Sequence, residues 1–346
     1  MKPDTTERDL VFKLLQANST LGQVAQHLKR KGLHYSAGSW DEMFGKRVGK
    51  ALEEKELTRE DLVDLIRMTE EYGTQHVFLY STSRERASAL MDRERVGSSL
   101  EKMGLSSLVK RPRILDQPSS PTITDVRFDL DGKNQTLIAK VVERRSYQRF
   151  VDQRTEGNFL IRRYRELAVR AVNVLRLSDS GLLELRIYTH DNSSDYRNDV
   201  TKMWNLLSFL FSPRDFKQVS IGKAKTNLWK NRYSLKSILR YSDSTLRNTL
   251  GTALSASTGS EQASLFDDQG ASKSLDEFLR HRAYCDTSNI WWLKGGGNRS
   301  DNEFDSLPSR DVHVFLRGAL NEFVVGAQCT KQDYEYVLHQ LTRNNK

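Results

Sequence analysis

Apolar residues recur at helical spacing through the first third of the chain and at alternate positions through its middle, so the pattern predicts helices followed by a sheet. Leu10, Val11, Leu14 and Leu15 open the first stripe, and Leu21, Val24, Ala25 and Leu28 repeat it at i, i+3, i+4 and i+7. Gln23, Gln26 and His27 are left for the wet side of that second helix, and Ser19 or Thr20 is placed to cap it. Trp40, Met43, Phe44, Val48 and Leu52 fit a third amphipathic helix. Thr58, followed three residues on by Asp61, forms an N-cap pattern ahead of Leu62, Val63, Leu65 and Ile66, with Gly73 as a stop. The run His76–Tyr80 is β-prone, and 83–103 reads as a helix interrupted or ended near Gly97.

The period then changes. Lys110, Arg111, Pro112 and Arg113, with Pro118 and Pro121, mark a boundary. Beyond it, Ile123, Val126, Phe128 and Leu130, then Leu137, Ile138, Val141 and Val142, read as two strands around a turn at Asp131 and Gly132. Leu167 to Val174 and the alternating Leu183, Leu185 and Ile187 give a second pair. Val200 to Phe211 is an apolar helical block. A hairpin of Val312–Arg317 and Phe323–Val325 precedes a final helix beginning at Thr330.

The expected fold class is therefore α+β: an N-terminal helical domain, a mainly antiparallel β-sheet domain with helices, and a C-terminal hairpin and helix. The expected divisions are a helical domain at 1–104, a boundary at 105–121, a basic α+β domain at 122–250, a flexible Ser/Thr/Gly-rich connection at 251–275, and a C-terminal α+β segment at 276–346.

Composition narrows the functional classes. With 37% hydrophobic residues in 346, the chain has material for folded cores. Cys285 and Cys329 are the two cysteines and form no CxxC pair, which argues against a disulfide scaffold and for a reducing compartment. No stretch approaches the ~20 apolar residues of a membrane span, so no membrane partner is expected. A cytoplasmic or nucleoid-associated location follows, or a nuclear one in a eukaryote.

Charge changes the picture most. Lys and Arg number 54 against 45 Asp and Glu, a net charge of +9 and a pI near 9.4, which draws the molecule toward polyanions. The excess concentrates in two places. Lys217, Lys223, Lys225, Lys230, Arg232, Lys236, Arg240 and Arg247 are opposed only by Asp243, with Trp229, Tyr233 and Tyr241 among them. Across 140–170, Lys140, Arg144, Arg145, Arg149, Arg154, Arg162, Arg163, Arg165 and Arg170 outnumber Glu143, Asp152, Glu156 and Glu166, again with aromatics at Tyr147, Phe150 and Tyr164. Such mixtures contact phosphates through cations and bases through exposed rings. The competing reading of both stretches is structural, with buried aromatics and cations that coat a helix or pair with acids on a strand. A third cluster, Lys29, Arg30, Lys31, Lys46, Arg47 and Lys50, lies on the N-terminal helices.

Motifs for chemistry are sparse. Gly295, Gly296 and Gly297 lack the ending of a phosphate-binding loop. Asp125, Asp129 and Asp131, with Lys140, contain the groups of a metal-dependent nuclease but read more simply as strand and turn residues. His281 and Cys285 supply two ligands, which do not make a zinc site. No cofactor is expected. The preferred expectation is a nucleic-acid-binding protein, DNA ahead of RNA, acting as a non-catalytic adaptor or complex subunit. Its contacts would be Arg144, Arg145, Arg149, Arg162, Arg163, Arg165, Lys223, Lys225, Lys230, Arg232, Lys236, Arg240, Trp229 and Tyr233. The alternatives are an interaction subunit for an acidic protein partner, and a metal-dependent nuclease.

Overall fold

The computed structural model describes residues 5–131, 134–190, 196–260, 262–295, 307–318 and 321–346; Gly132, Gly296 and Gly297 of the expected loops lie outside them. The class is α+β. Its strands are β1 (Gln75–Ser81), β2 (Thr122–Asp131), β3 (Asn134–Glu156), β4 (Phe159–Ser178), β5 (Leu182–Tyr188), β6 (Lys217–Gln218), β7 (Leu239–Asn248), β8 (Ala253–Ser257), β9 (Ala283–Trp292), β10 (Val312–Arg317) and β11 (Glu322–Val325). The chain divides into two compact units that interleave along the sequence instead of following one another. One comprises 1–71, 83–181 and 187–213, the other 72–82, 182–186 and 214–346.

In the first unit, local signals start the helices. Thr20 and Thr58 each accept from the backbone three residues on, at Gln23 and Asp61, whose side chains reach back to the cap, closing a capping box ahead of Leu21–Arg30 and Arg59–Glu70. Val11, Leu14, Leu15, Val24, Leu28, Met43, Val48, Leu62 and Leu65 form their shared core. The third helix runs from Trp40 to Glu53 but widens to a π-helical section at Met43–Gly49. Gly49 accommodates it, because a Cβ there would lie 2.6 Å from the Phe44 carbonyl oxygen. The interruption expected near Gly97 in the helix over 83–103 is present but earlier, dividing it into Arg84–Leu90 and Arg93–Lys102. The break falls at Asp92, which caps the second helix by accepting from the Arg95 amide at 2.8 Å, and Gly97 lies inside that helix.

The strands of this unit are held to a helix by buried ions. Glu70 accepts from Lys140 of β3 and Arg170 of β4, each at 2.7 Å. Glu71 accepts from Arg127 of β2 at 2.7 and 3.0 Å, and Asp125 of the same strand accepts from Arg67 and Arg127. Burial alone would raise the Glu71 carboxyl, but Arg127 and Lys140 outweigh it and hold it below its ordinary value.

The second unit packs Trp229, Tyr241, Phe266, Trp292, Phe323, Tyr334 and Val337 into one core. β9 pairs with β7 and β10, β10 with β11, and β11 with β1, all antiparallel. The final helix, Lys331–Asn344, begins with a Thr330–Asp333 capping box. The stretch 251–275, expected to be a flexible connection, instead holds β8, paired with β7 at Asp243↔Ser257 through Arg247↔Ala253, and the start of helix Gln269–Arg280. Its Ser and Thr side chains suit an edge strand that is wet on one face.

Candidate nucleic-acid interface

β3 and β4 are 23 and 20 residues long, against a usual five or six. Their inner halves, Thr136–Val142 and Ala171–Leu175, are buried. Beyond them the same two strands continue as a ribbon whose residues from Gln148 to Glu166 are almost all exposed. At about 3.3 Å per residue, the section from Tyr147 to Glu156 extends roughly 30 Å. Register holds from Thr136↔Ser178 to Glu156↔Phe159, with one irregularity at Val151. The end closes on Gly157 and Asn158, and Gly157 has φ +59°. Glycine first in a two-residue hairpin turn with positive φ is the combination that matches strand twist.

Cross-strand pairs share a face of the ribbon. One face therefore carries Tyr147/Leu167, Arg149/Arg165, Asp152/Arg163, Arg154/Ile161 and Glu156/Phe159; the other carries Gln148/Glu166, Phe150/Tyr164, Gln153/Arg162 and Thr155/Leu160. Asp152 pairs with Arg163, and Glu156 with Arg154 at 2.7 Å. Asp152 is held below its ordinary value by that Arg163 bond. Arg144, Arg149, Arg162 and Arg165 are exposed and have no acidic partner among the described residues. Phe150 and Tyr164 meet edge to face at 5.9 Å while each stays about half exposed. Phe159 is 76% exposed at the tip.

Arg145 has a different role at the foot of the ribbon. Its guanidinium is largely buried and donates to Glu143 at 2.8 Å, the Tyr188 carbonyl at 2.7 Å and Asn173 at 3.2 Å. It also lies 3.2 Å from His190 Nε2, which in turn is 2.5 Å from Asp199. Arg145 thus stiffens the root of the arm and is not free to meet a ligand.

The 217–247 stretch divides in the same way. Lys225 is buried, and its ammonium donates to the Asp286 carbonyl at 2.6 Å; burial lowers its pKa. Arg232 is buried against Asp276, with its guanidinium 4.7 Å from the Trp229 ring and 4.5 Å from Tyr233. Trp229 is wholly buried and donates its indole N–H to Asp276 at 3.0 Å, so it offers no face to a base. Lys236 pairs with Asp267 at 2.5 Å, Arg247 with Asp286 at 3.0 Å, and Arg240 lies 5.2 Å from the Trp291 ring. Lys217, Lys223, Lys230 and Tyr233 stay exposed. In the N-terminal cluster, Lys31 pairs with Asp61, Arg47 with Glu42 and Lys50 with Glu54 at 3.6 Å, Lys29 lies 5.5 Å from the Tyr35 ring, and Arg30 and Lys46 are also exposed.

The groups considered for chemistry are engaged elsewhere. Asp125 is buried between Arg67 and Arg127, Lys140 lies against Glu70, and Asp129 accepts from Arg127 at 3.0 Å. His281 is exposed beyond helix Gln269–Arg280, while Cys285 is buried in β9. Burial pushes the thiols of both Cys285 and Cys329 up to about 12, which makes them poor nucleophiles at neutral pH. Among the described residues, no three His, Cys, Asp or Glu side chains are grouped to hold a metal ion, and no helix is long and apolar enough to cross a membrane. Comparison with known protein families and with curated proteins finds no match.

Proposed function

We propose that this chain binds nucleic acid, duplex DNA ahead of RNA, through the β3–β4 arm and acts as a non-catalytic component. The observation that carries the reading is the arm itself: a two-stranded ribbon, wet on both faces, with Arg144, Arg149, Arg162 and Arg165 free of acidic partners among the described residues. Guanidinium forks suit phosphate oxygens. The exposed ion pairs Arg163–Asp152 and Arg154–Glu156 are weak enough in water to be exchanged for phosphate contacts. DNA is favoured because β-ribbons enter either of its grooves, whereas the major groove of A-form RNA is too deep and narrow for side chains to read.

Salt-titrated binding to duplex DNA, single-stranded DNA and RNA of equal length tests the proposal. Duplex DNA should bind most tightly, with affinity falling steeply as salt rises. Absent binding to all three at low salt would refute it, and equal binding would refute the preference for duplex DNA.

The exposed Phe150, Val151 and Leu160 beside these arginines also support a second reading, an acidic protein partner docked along the ribbon. Charge reversal separates the two, since a protein-binding arm would leave DNA affinity unchanged when its arginines are reversed.

A further inference from the structure

The aromatic at the end of the arm has no structural task among the described residues. Phe159 belongs to no core cluster and makes no ring contact there, and at 76% it is more exposed than Phe150 or Tyr164. Exposing a benzyl group is unfavourable, and a polar residue would close the hairpin equally well, because the turn conformation comes from Gly157. Phe159 lies directly across from Glu156 and on the same face as Arg149, Arg165, Arg163 and Arg154. Leu160, also exposed, pairs with Thr155 on the opposite face, one position back from the tip. The tip thus presents a flat ring and a branched aliphatic side chain ahead of a cationic stem.

Resting on the reading of the arm as a DNA-binding ribbon, we infer that Phe159 is a wedge that enters a base step of duplex DNA, partly unstacks it and kinks the helix. The stem arginines hold the flanking phosphates, and the ring stacks on the base face that opening the step exposes. An apolar side chain inserted from an arginine-bearing element bends duplexes by this physical route. Flexible pyrimidine–purine steps are the preferred target because they resist opening least. The ligand is accordingly a deformable duplex site, selected by stiffness and not by base-edge hydrogen bonds.

The test uses the full chain and a ~30-base-pair duplex labelled at both ends for energy transfer, with a 2-aminopurine at a central TA step. The wild-type protein should shorten the end-to-end distance and brighten 2-aminopurine as it unstacks. Phe159→Ala should abolish both signals and weaken binding roughly tenfold, as removal of one base–aromatic stack does, while keeping the wild-type salt dependence. Phe159→Trp should retain bending. Normal bending and unstacking by a folded Phe159→Ala protein would overturn the wedge and leave the DNA-binding reading in place. Failure of the wild-type protein to bind the duplex would overturn both, and binding by the wild type without bending would overturn the wedge alone.

Discussion

Arg149 sits directly opposite Arg165 across the β3–β4 ribbon, two like charges on one face with no carboxylate among the described residues to separate them. Such a pair opposes the folding of the strand pair that carries it. On the proposed reading, the pair presents two guanidinium groups side by side to an anionic ligand. Arg149→Glu should therefore leave the melting temperature unchanged or raise it, because the introduced carboxylate would face Arg165, while weakening DNA binding. Reversing both arginines should reduce the slope of log affinity against log salt by about 2, close to 0.9 for each phosphate no longer neutralised. Calorimetry and salt-titrated anisotropy together check this. A variant that melts lower yet binds normally would mark the two arginines as structural.

Lys223 and Lys225 are two residues apart on helix Gly222–Lys230 and should behave oppositely. Lys223 is exposed, so Lys223→Glu should fold normally. Lys225 is buried on the Asp286 carbonyl, and Lys225→Glu would replace a donor with a carboxylate facing an acceptor. A loss of about 3 kcal/mol or more is expected in denaturant unfolding.

Acid should loosen the first unit. The Glu71 carboxyl is depressed in the fold, so it binds protons more weakly there than in the unfolded chain. Its contribution is complete above the ordinary value of 4.5 and is lost as pH falls toward the lower folded value. Denaturant midpoints measured from pH 7 to pH 3 should stay level above about pH 5 and decline below it. Glu70→Gln should cost about 3–5 kcal/mol even at neutral pH, because Lys140 and Arg170 would lose their shared carboxylate.

Gly49→Ala probes the π-helical section. A methyl group at that position collides with the Phe44 carbonyl, so the turn must tighten or shift. Destabilisation of about 1–3 kcal/mol is expected, although alanine is the better helix former by about 1 kcal/mol. A stabilised variant in thermal melts would show that the wide turn relaxes freely.

Elements with a buried face could be read from the sequence. The capping boxes at Thr20 and Thr58 and the alternation of Leu183, Leu185 and Ile187 each report a boundary or a face that the core enforces. The arm left no such trace. Strand patterns at Val142 and Leu167 stop where burial stops, and the next twenty-odd residues carry no apolar period because both faces meet water. The available signal was Gly157–Asn158, a two-residue hairpin turn midway between the two strands. The 217–247 cluster misled for the converse reason, since charge counted along the chain cannot distinguish Lys223 from the buried Lys225, nor an exposed ring from Trp229 inside the core.

The closure of the ribbon on its own two-residue turn makes its length a separable variable. Removing the facing pairs Gln153/Arg162 and Arg154/Ile161 would take out four residues and, at about 3.3 Å per step, roughly 7 Å of reach. Deletion in twos preserves which face every remaining side chain occupies. Reach, facial charge and tip chemistry can then be altered independently, as graduations on a ruler whose zero lies at the Glu70 ion pairs.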